Sequence, residues 1–293
     1  MALLKRSRPA DDGQATPPDA DGRMPLMEHL RELRNRLAKA VLGLVLGTVV
    51  GFLFFDRLWT FMTGPYCRLP EAHKLKEGEC TLVVQGVFEG FMVNLQVALM
   101  FGAVVSAPVW LYQLWAFVTP GLYRNERRYS LSFLGLSVPL FVAGAALAYY
   151  TMDKGLALLL GFAPGNVIPL ISMDQYVGFL MAMLVIFGLS FELPLLLVFL
   201  NLVGVLRYQM VKKHQRLVIF LMFVFAAVAT PSQDPVTMLA LALPMVGMFL
   251  IAEVVMMAHD RKADRLEAER QRLLDEELDG PAGSEVSTTP GAD

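Results

Sequence analysis

Apolar residues in this chain gather into six runs, approximately 38–55, 90–112, 131–151, 176–203, 217–229 and 236–257, with polar stretches between them. At a rise of about 1.5 Å per helical residue, most of these runs can cross a hydrocarbon core roughly 30 Å thick. The fifth offers only about 20 Å, a mismatch that a thinner bilayer or a covering partner helix would meet. Ahead of the first run, Leu26, Leu30, Leu33, Leu37 and Val41 form a helical stripe, and Glu28, Arg31, Glu32, Asn35, Arg36 and Lys39 occupy the other face. That pattern predicts an amphipathic helix lying where the membrane meets water and leading into the first span. The expected fold is an all-α integral membrane protein with six transmembrane helices.

Composition supports this class, because 55% hydrophobic residues and a mean hydropathy of +0.51 are too apolar for an ordinary soluble surface. We read residues 1–24 as a disordered tail, 25–258 as one membrane domain, and 259–293 as a charged tail, helical and then disordered. Lys and Arg number seven in 1–37, three in 113–130, four in 204–216 and five after 257, against four in 56–89, one in 152–175 and none in 230–235. Such a bias places both termini in the cytoplasm. A re-entrant hairpin over the last two runs would keep that parity, but the polar TPSQDP turn at 230–235 suits the outer side and favours six spans. The N-terminus has no apolar core beside its basic residues, so the first span itself is expected to serve as the insertion signal.

Glu192 is the only formal charge between Tyr176 and Leu206, which puts a carboxylate close to the bilayer midplane. A charge at that depth costs several kcal/mol, so the group must face protein or water, or stay protonated. It is taken as the only charge in the membrane interior. Pro108, Pro139, Pro194 and Pro244 lie in or at the ends of spans and are expected to bend them into a concave wall. Gly43, Gly47 and Gly51 leave a smooth stripe for close approach of another helix, within this chain or from a second copy. Cys67 and Cys80, the only cysteines, share the first outer loop, where an oxidising compartment favours a disulfide. The four histidines are scattered, and HExxH, G-x-S-x-G and Walker A motifs are absent from the sequence, so no enzyme, metal, cofactor or nucleic-acid partner is expected. A proton-coupled secondary transporter is the rival class, although the chain has no internal repeat of the kind such carriers show.

Four stretches carry a family likeness: HLRELRNRL at 29–37, SAPVWLYQLWAFVTPGLYRNERR at 106–128, FGLSFELP at 187–194, and TPSQDP at 230–235 followed by ALPM at 242–245. Over roughly 25–258 the chain resembles the TatC family, the multi-span core of the twin-arginine protein translocase. The resemblance implies a six-helix protein with both termini inside, in the cytoplasmic (inner) membrane of a prokaryote. It implies binding of twin-arginine signal peptides. It also implies partnership with the single-span proteins TatA and TatB, a homo-oligomeric receptor complex, and export of folded proteins on the proton-motive force.

The resemblance further implies roles for particular residues. Glu32 and Glu126 match positions that grip the signal peptide's arginines, a task suited to carboxylates because they accept a guanidinium fork bidentately. The plain alternatives are a helical pair between Glu32 and Arg36, and a surface pair of Glu126 with Arg127 or Arg128. Arg34, Arg127 and Arg128 would neutralise those glutamates, hold lipid phosphates, or simply follow the inside-positive bias. Gln113 and Phe117, four residues apart, would frame the peptide groove, with Trp110, Tyr112 and Trp115 as an interfacial aromatic belt. Glu192, beside a Pro194 that frees the carbonyl of Ser190, is implied as a polar gate meeting the signal peptide or a partner helix, with plain packing as the alternative. Asp234 is either part of a partner-docking site with Thr230 or the cap of the sixth helix, and both readings stay open. Two departures weaken the docking match: the family's TPPD turn is TPSQD here, and Met238 stands where some relatives carry Gln.

Overall fold

The computed structural model describes residues 26–70, 79–118, 126–162, 164, 170–232 and 234–279. The tail over 1–24 and the residues after 279 lie outside the described residues. Helices are the regular elements of the described residues, and one isolated bridge among them pairs Val83 with Ser172. In order they are α1 (Leu26–Leu53), α2 (Phe55–Cys67), α3 (Glu89–Val105), α4 (Ala107–Val118), α5 (Glu126–Gly161), α6 (Met173–Ser190), α7 (Glu192–Leu202), α8 (Tyr208–Lys213), α9 (Gln215–Ala229) and α10 (Pro235–Asp279).

Four helical units are long and apolar enough to cross a membrane, over Leu30–Leu53, Leu131–Gly161, Met173–Leu202 and Pro235–Glu276, and α3 with α4 makes a fifth if that bent pair counts as one span. Helix α9 is apolar, but its 15 residues reach only about 22 Å. The amphipathic stretch leads directly into the first span, as expected. It is the first part of an unbroken α1, and Leu30, Leu37 and Val41 remain exposed.

Helix breaks accompany two of the four prolines expected to bend the spans. Helix α5 runs through Pro139 and α10 through Pro244 without a break. The breaks fall at Ser106, just before Pro108, where α3 and α4 meet at 58°, and at Phe191, just before Pro194, between α6 and α7. Pro108 and Pro194 sit in the first turn of the helix that follows each break, where a missing N–H removes no intrahelical bond. Beside the break at Ser106 the Trp110 indole donates to the Ala103 carbonyl at 2.9 Å.

The loop after the first run also holds more structure than expected, namely α2. Pro65 lies inside it and cannot donate to the Phe61 carbonyl four residues back. The Tyr149 hydroxyl of α5 donates to that carbonyl at 2.8 Å, and the Tyr176 hydroxyl of α6 donates to the next one, Met62, at 2.5 Å. Cys67 and Cys80 are joined (Cα–Cα 5.4 Å), fastening the end of α2 to the segment before α3.

The glycine stripe of α1 packs within the chain. A Cβ on Gly47 would stand 2.8 Å from the Gly102 carbonyl oxygen of α3, and one on Gly51 would stand 2.7 Å from that of Ala98. Two backbones therefore touch, a contact only hydrogen side chains permit. Elsewhere the interior divides into a cluster at the disulfide end, around Met62, Val93, Val97, Met152 and Tyr176, and a second around Phe187, Leu241, Met245 and Phe249 that joins α6 and α10.

Candidate functional site

An apolar groove of about 530 Å³ lies between α1 and α4 at the end of the bundle opposite the disulfide. Leu33, Leu37 and Val41 form one wall and Trp110, Leu114 and Phe117 the other; Arg36 and Gln113 supply its polar atoms. Gln113 and Phe117 share a face because four residues make about one turn. Arg36 donates to Glu32 through Nε at 2.9 Å and Nη2 at 2.5 Å, and both bonds fall on Oε1. The pair is partly exposed and spaced i to i+4, a geometry that contributes only a few tenths of a kcal/mol. Arg34 is exposed. Glu126, Arg127 and Arg128 form the first turn of α5, and their side chains lie outside the described residues.

Glu192 occupies a second locus. It is buried at the start of α7 and accepts from the Ser137 hydroxyl of α5 at 2.5 Å. Ser137 in turn accepts from the Trp115 indole of α4 at 3.0 Å. The expected place of Trp115 in an interfacial belt is therefore wrong: the ring is 3% exposed and packs on Phe133 and Phe199 with centroids 4.9 and 5.4 Å away. An aromatic near the end of an apolar run reads as a belt residue. Only its buried hydroxyl partner shows otherwise.

Asp234 defines a third locus and acts as the cap of α10. Its Oδ1 accepts from the backbone of Val236 and Thr237, both at 2.9 Å, and its Oδ2 from the Thr237 hydroxyl at 2.5 Å. Burial pushes this carboxyl up, but hydrogen bonds from Ser232, Thr237 and Val236 together outweigh it and hold its pKa below the usual aspartate value. Thr230, four residues before it, is fully buried. The structure does not bring Glu192 and Asp234 together. Ser137 and Gly155 mark their levels on α5, and the eighteen residues between correspond to about 27 Å.

Sequence reasoning missed two polar groups. Glu253 is 5% exposed inside the last apolar run, so Glu192 is not the only charge there; it pairs with Lys212 of α8 at 3.1 Å. Asp260 accepts from the Asn201 side chain at 2.8 Å and the Tyr208 backbone at 2.7 Å, tying the α7–α8 turn to α10. Among the described residues no group of His, Cys, Asp and Glu could hold a metal ion.

The family model for the Sec-independent protein translocase protein (TatC) matches residues 28–244. The chain belongs to the TatC family. The TatC of Frankia casuarinae is 48% identical over 250 residues, covering 84% of this chain and 69% of that protein. The TatC of Xylanimonas cellulosilytica is 40% identical, with 83% of this chain and 87% of the relative covered. A crystal structure of the twin-arginine translocase receptor TatC in DDM superposes with a TM-score of 0.64 at 29% identity, covering 78% of this chain and 99% of the other. As a TatC protein the chain is a multi-pass membrane component of the Sec-independent translocase and works with its other components.

Proposed function

We propose that this TatC is the receptor for twin-arginine signal peptides, set in the cytoplasmic membrane of a prokaryote with six spans and both termini inside. The observation that carries this reading is the Glu32–Arg36 pair beside an apolar groove. A partly exposed i to i+4 pair is weak, worth about 0.3–0.5 kcal/mol. A charge-assisted bond from an incoming guanidinium contributes about 1.5–3 kcal/mol, so a peptide arginine displaces Arg36 at small loss. Glu126, in the first turn of α5, supplies a second acceptor. Gln113 and Phe117 line the path of the peptide's apolar segment, while Arg34, Arg127 and Arg128 balance the two glutamates and hold lipid phosphates at the interface.

The later step belongs to the other loci. TatA- and TatB-type single-span helices meet the chain at Glu192 and around Thr230 and Asp234, where the short α9 leaves the bilayer thinned. Further copies of the chain complete the receptor complex, and the proton-motive force drives export of the folded cargo.

Crosslinking of a twin-arginine peptide in native membranes tests the receptor reading. Loss of crosslinking with Glu32→Ala, with Glu126→Ala and with a twin-lysine peptide, while insertion stays normal, is the expected result. Equal crosslinking in every case would show these glutamates to be ordinary surface charges.

A further inference from the structure

We propose that Ser137 and Trp115 are positioning residues for the Glu192 carboxylate, and that through Trp115 the wall of the groove and this carboxylate move together. The second half rests on the groove being the signal-peptide site.

The direction of the hydrogen bonds is set by what each group can do. An indole N–H only donates, and a serine hydroxyl has one proton. With Trp115 donating to Ser137 Oγ at 3.0 Å, the serine proton is left for Glu192 Oε2, 2.5 Å away. The three residues are buried and come from α4, α5 and α7. A chain of this kind polarises along its length, so removing the indole weakens the next bond as well. Glu192 Oε1 is buried with no partner among the described residues, leaving one acceptor for a donor from outside the chain.

Helix α4 faces both ways. Gln113 and Phe117 line the groove, and Trp115, two residues from each, projects about 200° around the helix onto Ser137. The helix hangs from the break at Ser106, where the chain already bends by 58°. A rigid shift of α4 that widens the groove draws the indole off Ser137, and a hydrogen bond at this length is lost within about half an ångström. Glu192 then loses its oriented donor and is released for contact with another group.

The reactivity of Glu192 toward dicyclohexylcarbodiimide, read by mass spectrometry on the full chain in native membranes at fixed pH, tests both halves. Glu192→Gln supplies the blank. Trp115→Phe and Ser137→Ala should raise labelling about five-fold, the effect of one lost hydrogen bond, while Ser137→Thr keeps the hydroxyl and the native level. Unchanged labelling in Trp115→Phe and Ser137→Ala, or an equal rise in Ser137→Thr, would overturn the positioning role. A synthetic twin-arginine peptide should raise labelling of the native chain and add nothing in Ser137→Ala. If the peptide crosslinks to Phe117 yet native labelling stays constant, the coupling is refuted. If it fails to crosslink at the groove, the receptor reading and the coupling fall together, and the substitutions still decide the positioning role.

Discussion

Gly102→Ala is a one-carbon test of how closely α1 and α3 pack. The added Cβ would lie 2.6 Å from the Thr48 backbone nitrogen, 2.7 Å from its Oγ1 and 2.9 Å from the Gly47 carbonyl carbon. Ordinary contacts of this kind are about 3.5 Å or longer, so the helices must part by most of an ångström. No rotamer change can absorb this, because two of the three atoms are backbone. Overpacking of this sort costs about 1–3 kcal/mol. At about 2–4 °C per kcal/mol for a chain of this size, the melting temperature should fall by roughly 2–12 °C. Gly178→Ala is the control, since a Cβ there meets nothing within 4 Å and alanine gains up to about 1 kcal/mol of helix propensity. Melting in detergent, followed by the surviving monodisperse fraction on size exclusion, reads both. If Gly102→Ala melts at or above Gly178→Ala, the close approach of α1 and α3 is refuted, and with it the fixed position of the groove's α1 wall.

Three further outcomes are expected. Asp234→Ala should cost about 1 kcal/mol through loss of the α10 cap. Because the folded pKa of Asp234 is lowered, its contribution is complete above about pH 4 and is lost as pH falls through the folded value, so Asp234→Asn should flatten the acid side of the melting profile. Lys212→Met should destabilise more than Lys213→Met, by about 1 kcal/mol given the half-exposed lysine head, with Glu253→Gln abolishing the difference in a double-mutant cycle. Reducing the Cys67–Cys80 bond, which closes a separation of 13 residues, should lower stability by about 3 kcal/mol in the same melting assay.

The spans were legible because a lipid-compatible helix needs an uninterrupted apolar run, and each such run became helix. The breaks were not, since a proline restricts the residue before it and tolerates a first turn equally well, and only packing decided that Pro108 and Pro194 open new helices while Pro139 and Pro244 are absorbed. Helix α2 was hidden in a mixed segment whose Pro65 reads as a loop signal until the Tyr149 hydroxyl is seen on the Phe61 carbonyl. Glu192 stood out at the centre of its run. Glu253 was passed over near the end of one, with its lysine partner 41 positions earlier in the chain. Ser137 carried no signal, because a serine in a span usually bonds its own helix. Of the two glutamates, Glu32 was legible down to its Arg36 partner by helical spacing alone.

The length of α10 has a mechanical consequence. From Glu253, where the charge begins, to Asp279 the helix continues without a break, and those 27 residues make a rod of about 40 Å. With the helix unbroken from the span into the rod, a tilt of the span carries the rod with it. A tilt of about 10° in the span sweeps the far tip through about 7 Å. The tail thus works as a lever arm, converting small rotations among buried helices into displacements large enough to follow with a label at its tip.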